Sequence, residues 1–186
     1  MFLTISFVLA ISGLRVLSSY TDLPNIMPLT AIAFTSSAYL NNRFHWIIPV
    51  SILTISDLFI NHSYGVSLIT QWSAVAICCY LLAALCGKRM GGTKSWLSLL
   101  LGTASMSLMF YFTSNTFVFI SSNAYGPGLQ EWARALTTGL PGYPPTYLFL
   151  RNSLIGDLTY SLLFISVTQT SQSILRLPGY RALPLY

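Results

Sequence analysis

Six apolar runs, at residues 2–19, 27–40, 45–60, 66–86, 96–121 and 146–167, succeed one another with only short polar breaks. Together they carry four charged side chains, Arg15, Asp57, Arg151 and Asp157. Runs of this length and polarity bury themselves in lipid or in one another, and lipid admits only structures that satisfy every backbone polar group internally. The period is helical or indeterminate, without the alternation of a transmembrane barrel strand. The expected fold is therefore an all-α membrane protein of six transmembrane helices, one integral-membrane domain covering residues 1–186.

Composition excludes the alternatives. Only 7% of the 186 residues are charged and 54% are hydrophobic. Soluble domains carry roughly 25% charged residues, and a disordered chain needs low hydrophobicity and high charge. The net charge of +5 does not point to nucleic acid, because the basic residues are scattered and their one cluster, Lys88, Arg89 and Lys94, lies between two apolar runs. It reads instead as topology. The segments 41–43, 88–95 and the tail hold six Lys or Arg, whereas 20–23, 61–65 and 122–145 hold one. Positive residues stay on the cytoplasmic side, so a multi-pass protein of six spans with both termini cytoplasmic is expected. Residues 2–11 lack a preceding positive region and Arg15 breaks the stretch after them, which favours a retained first helix over a cleaved signal.

Turn chemistry marks the boundaries. Pro24 disfavours helix at the residue before it, and Gly87 is expected to end the fourth span. The second span is short for a bilayer and rich in small residues, so it either begins inside the preceding loop or is surrounded by protein. Residues 129–140 are expected to form a short interfacial helix with Trp132 at headgroup level. Pairs of small residues four apart, Ser6/Ala10 and Ala33/Ser37, allow close helix contact.

The outer loops collect Pro24, Asn25, Asn61, His62, Tyr64, Asn123 and Tyr125, and the spans beneath them hold Asp57, Trp72, Asn115 and Asn152. Amides and aromatics supply the orienting hydrogen bonds and stacking surfaces of a small-molecule pocket. Taken singly, each is also an ordinary turn former or interface anchor. The four intramembrane charges are costly alone and tolerable in pairs. Asp57 with Arg151 and Asp157 with Arg15 are the expected pairs; a proton or cation relay is the functional alternative.

Cys78, Cys79 and Cys86 fall within one apolar run and form no disulfide framework. Buried thiols stay protonated, so packing is the expected role; Cys78 and Cys79 are the only candidates for a soft metal. No phosphate loop, HExxH, CxxC or nucleophile elbow is present. The expectation is a protein that is not an enzyme and needs no cofactor.

Three stretches, Pro24-Asn25-Ile-Met-Pro28-Leu-Thr-Ala31-Ile-Ala33, Ser56-Asp57-Leu58 and Phe149-Leu-Arg-Asn152-Ser-Leu-Ile-Gly156-Asp157-Leu158, resemble an uncharacterised family of small bacterial inner-membrane proteins described only as transport proteins. The general plan is similar to the S components of energy-coupling-factor (ECF) vitamin transporters. That resemblance implies an S-component-like bundle with a ligand pocket near the outer side, closed by the three outer loops. It implies uptake of a small vitamin-like or cofactor-precursor molecule, with a coupling membrane subunit and its ATPases as partners. Some solitary proteins of this kind handle cobalamin through an intramembrane cysteine, which would give Cys78 or Cys79 a role. The rival expectation, from another class, is a structural or accessory subunit of a membrane complex.

Overall fold

The computed structural model describes residues 2–20, 27–39, 46–91 and 95–175. Among them the chain is all-helical, with seven helices and no strand: α1 (Phe2–Ser18), α2 (Leu29–Tyr39), α3 (Ile47–Ser63), α4 (Gln71–Arg89), α5 (Trp96–Ser121), α6 (Leu129–Leu136) and α7 (Thr146–Leu175). Pro24 and Asn25, the 41–43 turn, Lys94 and the C-terminal tail lie outside the described residues.

Three segments are long and apolar enough to cross a membrane: Gln71–Arg89, Trp96–Ser121 and Thr146–Val167. α1 and α3 are apolar but shorter. The outside of the bundle carries large apolar side chains, among them Leu17, Phe59, Leu101 and Leu163, a surface compatible with a lipid environment. Local capping sets two of the starts. The Ser95 hydroxyl accepts from the Ser98 N–H at 3.3 Å and the Thr70 hydroxyl accepts from the Ser73 N–H at 3.3 Å, each satisfying a donor the first turn leaves free. Thr70 thus starts α4 later than the apolar run suggests, and 66–69 remains irregular.

The second apolar segment departs furthest from an ordinary span. α2 has 11 residues, a rise of about 16 Å against a hydrocarbon thickness of about 30 Å. Every residue from Leu29 to Ser37 is buried, and α3, α4, α5 and α7 all pack against it. Of the two expected solutions for this short run, the chain adopts enclosure by protein. α2 is the axis of the molecule, and its lack of an amphipathic stripe results from being covered on all sides.

Close approach makes that enclosure possible. A Cβ on Gly87 would sit 2.1 Å from the Phe34 carbonyl oxygen, and one on Gly102 would sit 2.4 Å from Phe34 Cζ. Phe34, fully buried, therefore has its backbone against α4 and its ring against α5. Gly87 does not end α4, as the sequence suggested; the helix runs through it to Arg89. Ala83 and Ala84 are buried on the same helix, so the approach relies on small side chains rather than on a turn.

Side-chain bonds fix the relative directions. Ser12 and Arg15 of α1 bond to Ile52 and Ser56 of α3, so these two helices run parallel. Thr103 and Ser107 of α5 bond to Ser161 and Asp157 of α7, so that pair is antiparallel. α6 begins at the expected residue and ends four residues early, at Leu136. Trp132 Nε1 donates to Thr116 Oγ1 at 3.0 Å and the Tyr111 hydroxyl donates to the Leu136 carbonyl, which ties α6 to α5.

Candidate functional site

Two polar centres are built inside the bundle. The first is at Asp157, fully buried on α7. Its Oδ1 accepts from the Ala31 backbone N–H at 2.9 Å, and its Oδ2 accepts from Ser107 Oγ at 2.5 Å and Ser153 Oγ at 3.3 Å. Ala31 is in the first turn of α2, where backbone donors have no intrahelical acceptor. The residue before α2 is Pro28, which has no side-chain acceptor to offer. A carboxylate from another helix, more than a hundred positions away, thus does the work of an N-cap, and its charge faces the positive end of the α2 dipole. Thr103 and Ser161 extend the seam at 3.1 Å. The expected partner of Asp157 was Arg15; the structure gives it hydroxyls and a helix end instead.

The second centre holds Arg15. Its Nη1 donates to Asp57 Oδ1 at 2.6 Å and to Ser56 Oγ at 2.5 Å. Asp57 Oδ2 in turn accepts from Ser73 Oγ at 2.7 Å. Arg15 and Asp57 therefore form the ion pair, linking α1, α3 and the start of α4. This corrects both expected pairings. Arg151 is exposed and its guanidinium donates to Asn152 Oδ1 at 3.2 and 3.3 Å, not to Asp57. Helix rotation is the cause: α1 lies along α3, which carries Arg15 to Asp57 at similar depth. The pair is partly buried, with side-chain exposures of 24% and 15%. A double-mutant cycle with Arg15→Met and Asp57→Asn is expected to give a coupling energy of about 0.5–3 kcal/mol in detergent unfolding. Strict additivity would show that the contact contributes nothing.

Beside this pair is a cavity of about 420 Å³. Arg15, Asp57, Asn61, Thr70, Trp72, Ser73 and Ser114 bring polar atoms to it, and Leu53, Ile60, Val75, Ala76, Tyr80 and Phe110 are among its apolar walls. Tyr80 and Phe110 stack with ring centroids 5.3 Å apart. Trp72 stands edge-on to Phe117 at 5.1 Å. Asn61 Nδ2 donates to the Leu68 carbonyl at 3.0 Å and shapes the α3–α4 connection over the cavity.

Three of the residues expected from sequence, Asp57, Asn61 and Trp72, meet at this cavity. Pro24 and Asn25 lie outside the described residues, and the remaining ones are placed elsewhere. His62 and Tyr64 are exposed on the α3–α4 connection, and the Tyr64 hydroxyl donates to the Ser19 carbonyl at 3.3 Å. Asn115 donates back to the Tyr111 carbonyl at 2.8 Å within α5. Asn123 is exposed, and Tyr125 lies under the Arg134 guanidinium at 5.5 Å from the ring centroid. Asn152 is buried beside Arg151. Sequence reading missed Arg15, Tyr80 and Phe110 as cavity residues. Arg15 was visible as an intramembrane charge; the two rings carried no signal distinguishing them from core.

The cysteines do not converge. Cys78 is exposed on the outside of α4, contrary to the expected burial, whereas Cys79 is buried and Cys86 partly so. Neither Cys78 nor Cys79 lines the cavity, and among the described residues no group of three His, Cys, Asp or Glu side chains is placed to hold a metal ion.

No curated protein and no solved structure matches the chain. A family model described as a family of unknown function (DUF6580) matches residues 1–177. The match covers nearly the whole sequence, both polar centres included, and the chain belongs to that family.

Proposed function

We propose that this chain is a six-span inner-membrane protein with cytoplasmic termini that binds a small vitamin-like or cofactor-precursor molecule and takes part in its uptake. The reading is supported above all by the cavity beside Arg15 and Asp57. It combines apolar and aromatic walls with a few fixed polar groups, the usual make-up of a small-molecule site. It lies beneath the α3–α4 connection, at the end that the Lys and Arg distribution assigns to the outside. The mouth would be closed by that connection. Binding rather than conversion is the proposed role. Uphill transport would be driven through a coupling membrane subunit and its ATPases, as in the S components this chain resembles.

Mass spectrometry of metabolites that co-purify with the detergent-extracted protein tests the reading. One small molecule is expected in near-stoichiometric amount from wild type and depleted from Trp72→Ala, which removes an aromatic wall. Stable complexes with other membrane proteins and no retained metabolite would favour the accessory-subunit reading. Orientation is checked in a variant with Cys78, Cys79 and Cys86 replaced by serine. A cysteine placed at Asn123 should react with an impermeant maleimide added outside intact cells, and one placed at Ser95 should not; the reverse pattern would invert the scheme.

A further inference from the structure

We infer that the cavity takes a monocarboxylate with an aromatic or otherwise apolar body, its carboxylate seated on the free edge of Arg15. This deepens the binding role proposed above and rests on it. Donors and acceptors at the cavity wall do not balance. Arg15 uses a single nitrogen, Nη1, for both of its bonds, to Ser56 and Asp57. Its Nε and Nη2 donate to none of the described residues, so a two-pronged edge is left over. That edge matches a carboxylate bidentately, with two parallel N–H···O bonds.

Asp57 is in the opposite condition. One of its oxygens accepts from Arg15 and the other from Ser73. Within the ion pair, the cation thus has two donors to spare while each oxygen of the anion already holds a donor, and the group that completes the cation is an acceptor. Asp57 would repel a second carboxylate if it acted alone. The first turn of α4, with Trp72 and Ser73 lining the same cavity, sets the positive end of a helix dipole against that repulsion. Away from this wall the lining is apolar apart from Ser114, and the stacked Tyr80 and Phe110 rings give a flat surface. A volume of about 420 Å³ is near the lower end of the range for small-molecule sites, which suits a body of one or two rings.

The test uses the full chain in nanodiscs, with 3-phenylpropionate and indole-3-propionate as probes and their primary amides as neutral counterparts, measured by calorimetry and ligand-observed NMR. The acids are expected to bind about tenfold more tightly than the amides. That preference should vanish in Arg15→Gln. Because Arg15→Gln also breaks the ion pair, the double variant Arg15→Gln/Asp57→Asn, in which two neutral groups can still hydrogen-bond, keeps the comparison on a folded protein. Ala76 lines the cavity from α4, and Ala76→Phe fills it while keeping Arg15; it should abolish binding of the acids, with a retained cooperative thermal transition showing that the variant is folded.

Amides that bind wild type as tightly as acids would overturn the carboxylate assignment and leave the small-molecule reading standing. Tighter binding of phenylalanine than of phenylpropionate would overturn it as well, since Asp57 would then be receiving an ammonium group. Acid binding that survives Ala76→Phe would place the site elsewhere. Absence of saturable binding by every probe would overturn the inference, and only if no metabolite co-purifies either would the binding role fall with it.

Discussion

Gly87→Ala is expected to lower the stability of the bundle more than any other glycine-to-alanine change in the described residues. The added methyl would sit 2.1 Å from the Phe34 carbonyl oxygen and 2.9 Å from its carbonyl carbon. Both belong to the backbone of a helix enclosed by four others, so neither can move without shifting α2 as a unit. Overpacking in a tight interior costs about 1–3 kcal/mol and sometimes more; a backbone obstacle puts Gly87 at or above the upper end. Gly102→Ala meets only the rim of the Phe34 ring, at 2.4 Å, and a ring can tilt. Its cost should be intermediate. Gly13→Ala, in α1, meets nothing within 4 Å and should be neutral or stabilising by up to about 1 kcal/mol through helix propensity. Phe34→Leu should rescue Gly102→Ala and leave Gly87→Ala unrescued. Thermal midpoints in detergent give the ranking, and equal losses at all three glycines would show that packing around α2 does not control stability.

Asp157→Ala is the second large effect. Removing the carboxylate leaves the Ala31 N–H buried without an acceptor, at about 1–3 kcal/mol, and adds the cost of a small cavity. Ser107 loses less, because its hydroxyl already reaches the Thr103 carbonyl at 3.0 Å. Asp157→Asn keeps an acceptor for Ala31 and can donate to the hydroxyls, so it should recover most of the loss. Were asparagine as damaging as alanine, hydrogen bonding would not be the main contribution, and the negative charge opposite the α2 dipole would be. Hydrogen exchange at the Ala31 amide separates the cases locally: protection should fall sharply in Asp157→Ala and stay close to wild type in Asp157→Asn.

Features decided by neighbours along the chain were legible in the sequence. The limits of α5 come from its apolar run and the Ser95 cap, and the start of α6 was visible from the turn before it. The α4 boundary was misplaced because Val66, Leu68 and Ile69 look like the head of a span, whereas Thr70 supplies the cap. Gly87 looked like a stop because glycine often ends helices, and here a second helix needs its missing side chain. The ion pairing was illegible for a related reason. Arg15 and Asp57 are 42 positions apart and Ala31 and Asp157 are 126 apart, so the partners depend on how the helices are rotated about their axes. The apolar pattern constrains that rotation poorly, because lipid and protein neighbours accept the same side chains. Asn61 and Trp72 were found because polar and aromatic groups at a helix end carry chemistry of their own. Tyr80 and Phe110 were not, because in an apolar run they are indistinguishable from core.

The enclosed position of α2 constrains the order in which the molecule is assembled. This helix leaves the ribosome before α4, α5 and α7, which form most of its surroundings. At roughly 5–20 residues per second, several seconds of synthesis separate it from the helix that carries its cap. During that interval its leading amides and its hydroxyl-bearing side chains have no native cover. The acceptor for the Ala31 amide is thus the last part of its native surroundings to be synthesised, because Asp157 is on the final helix.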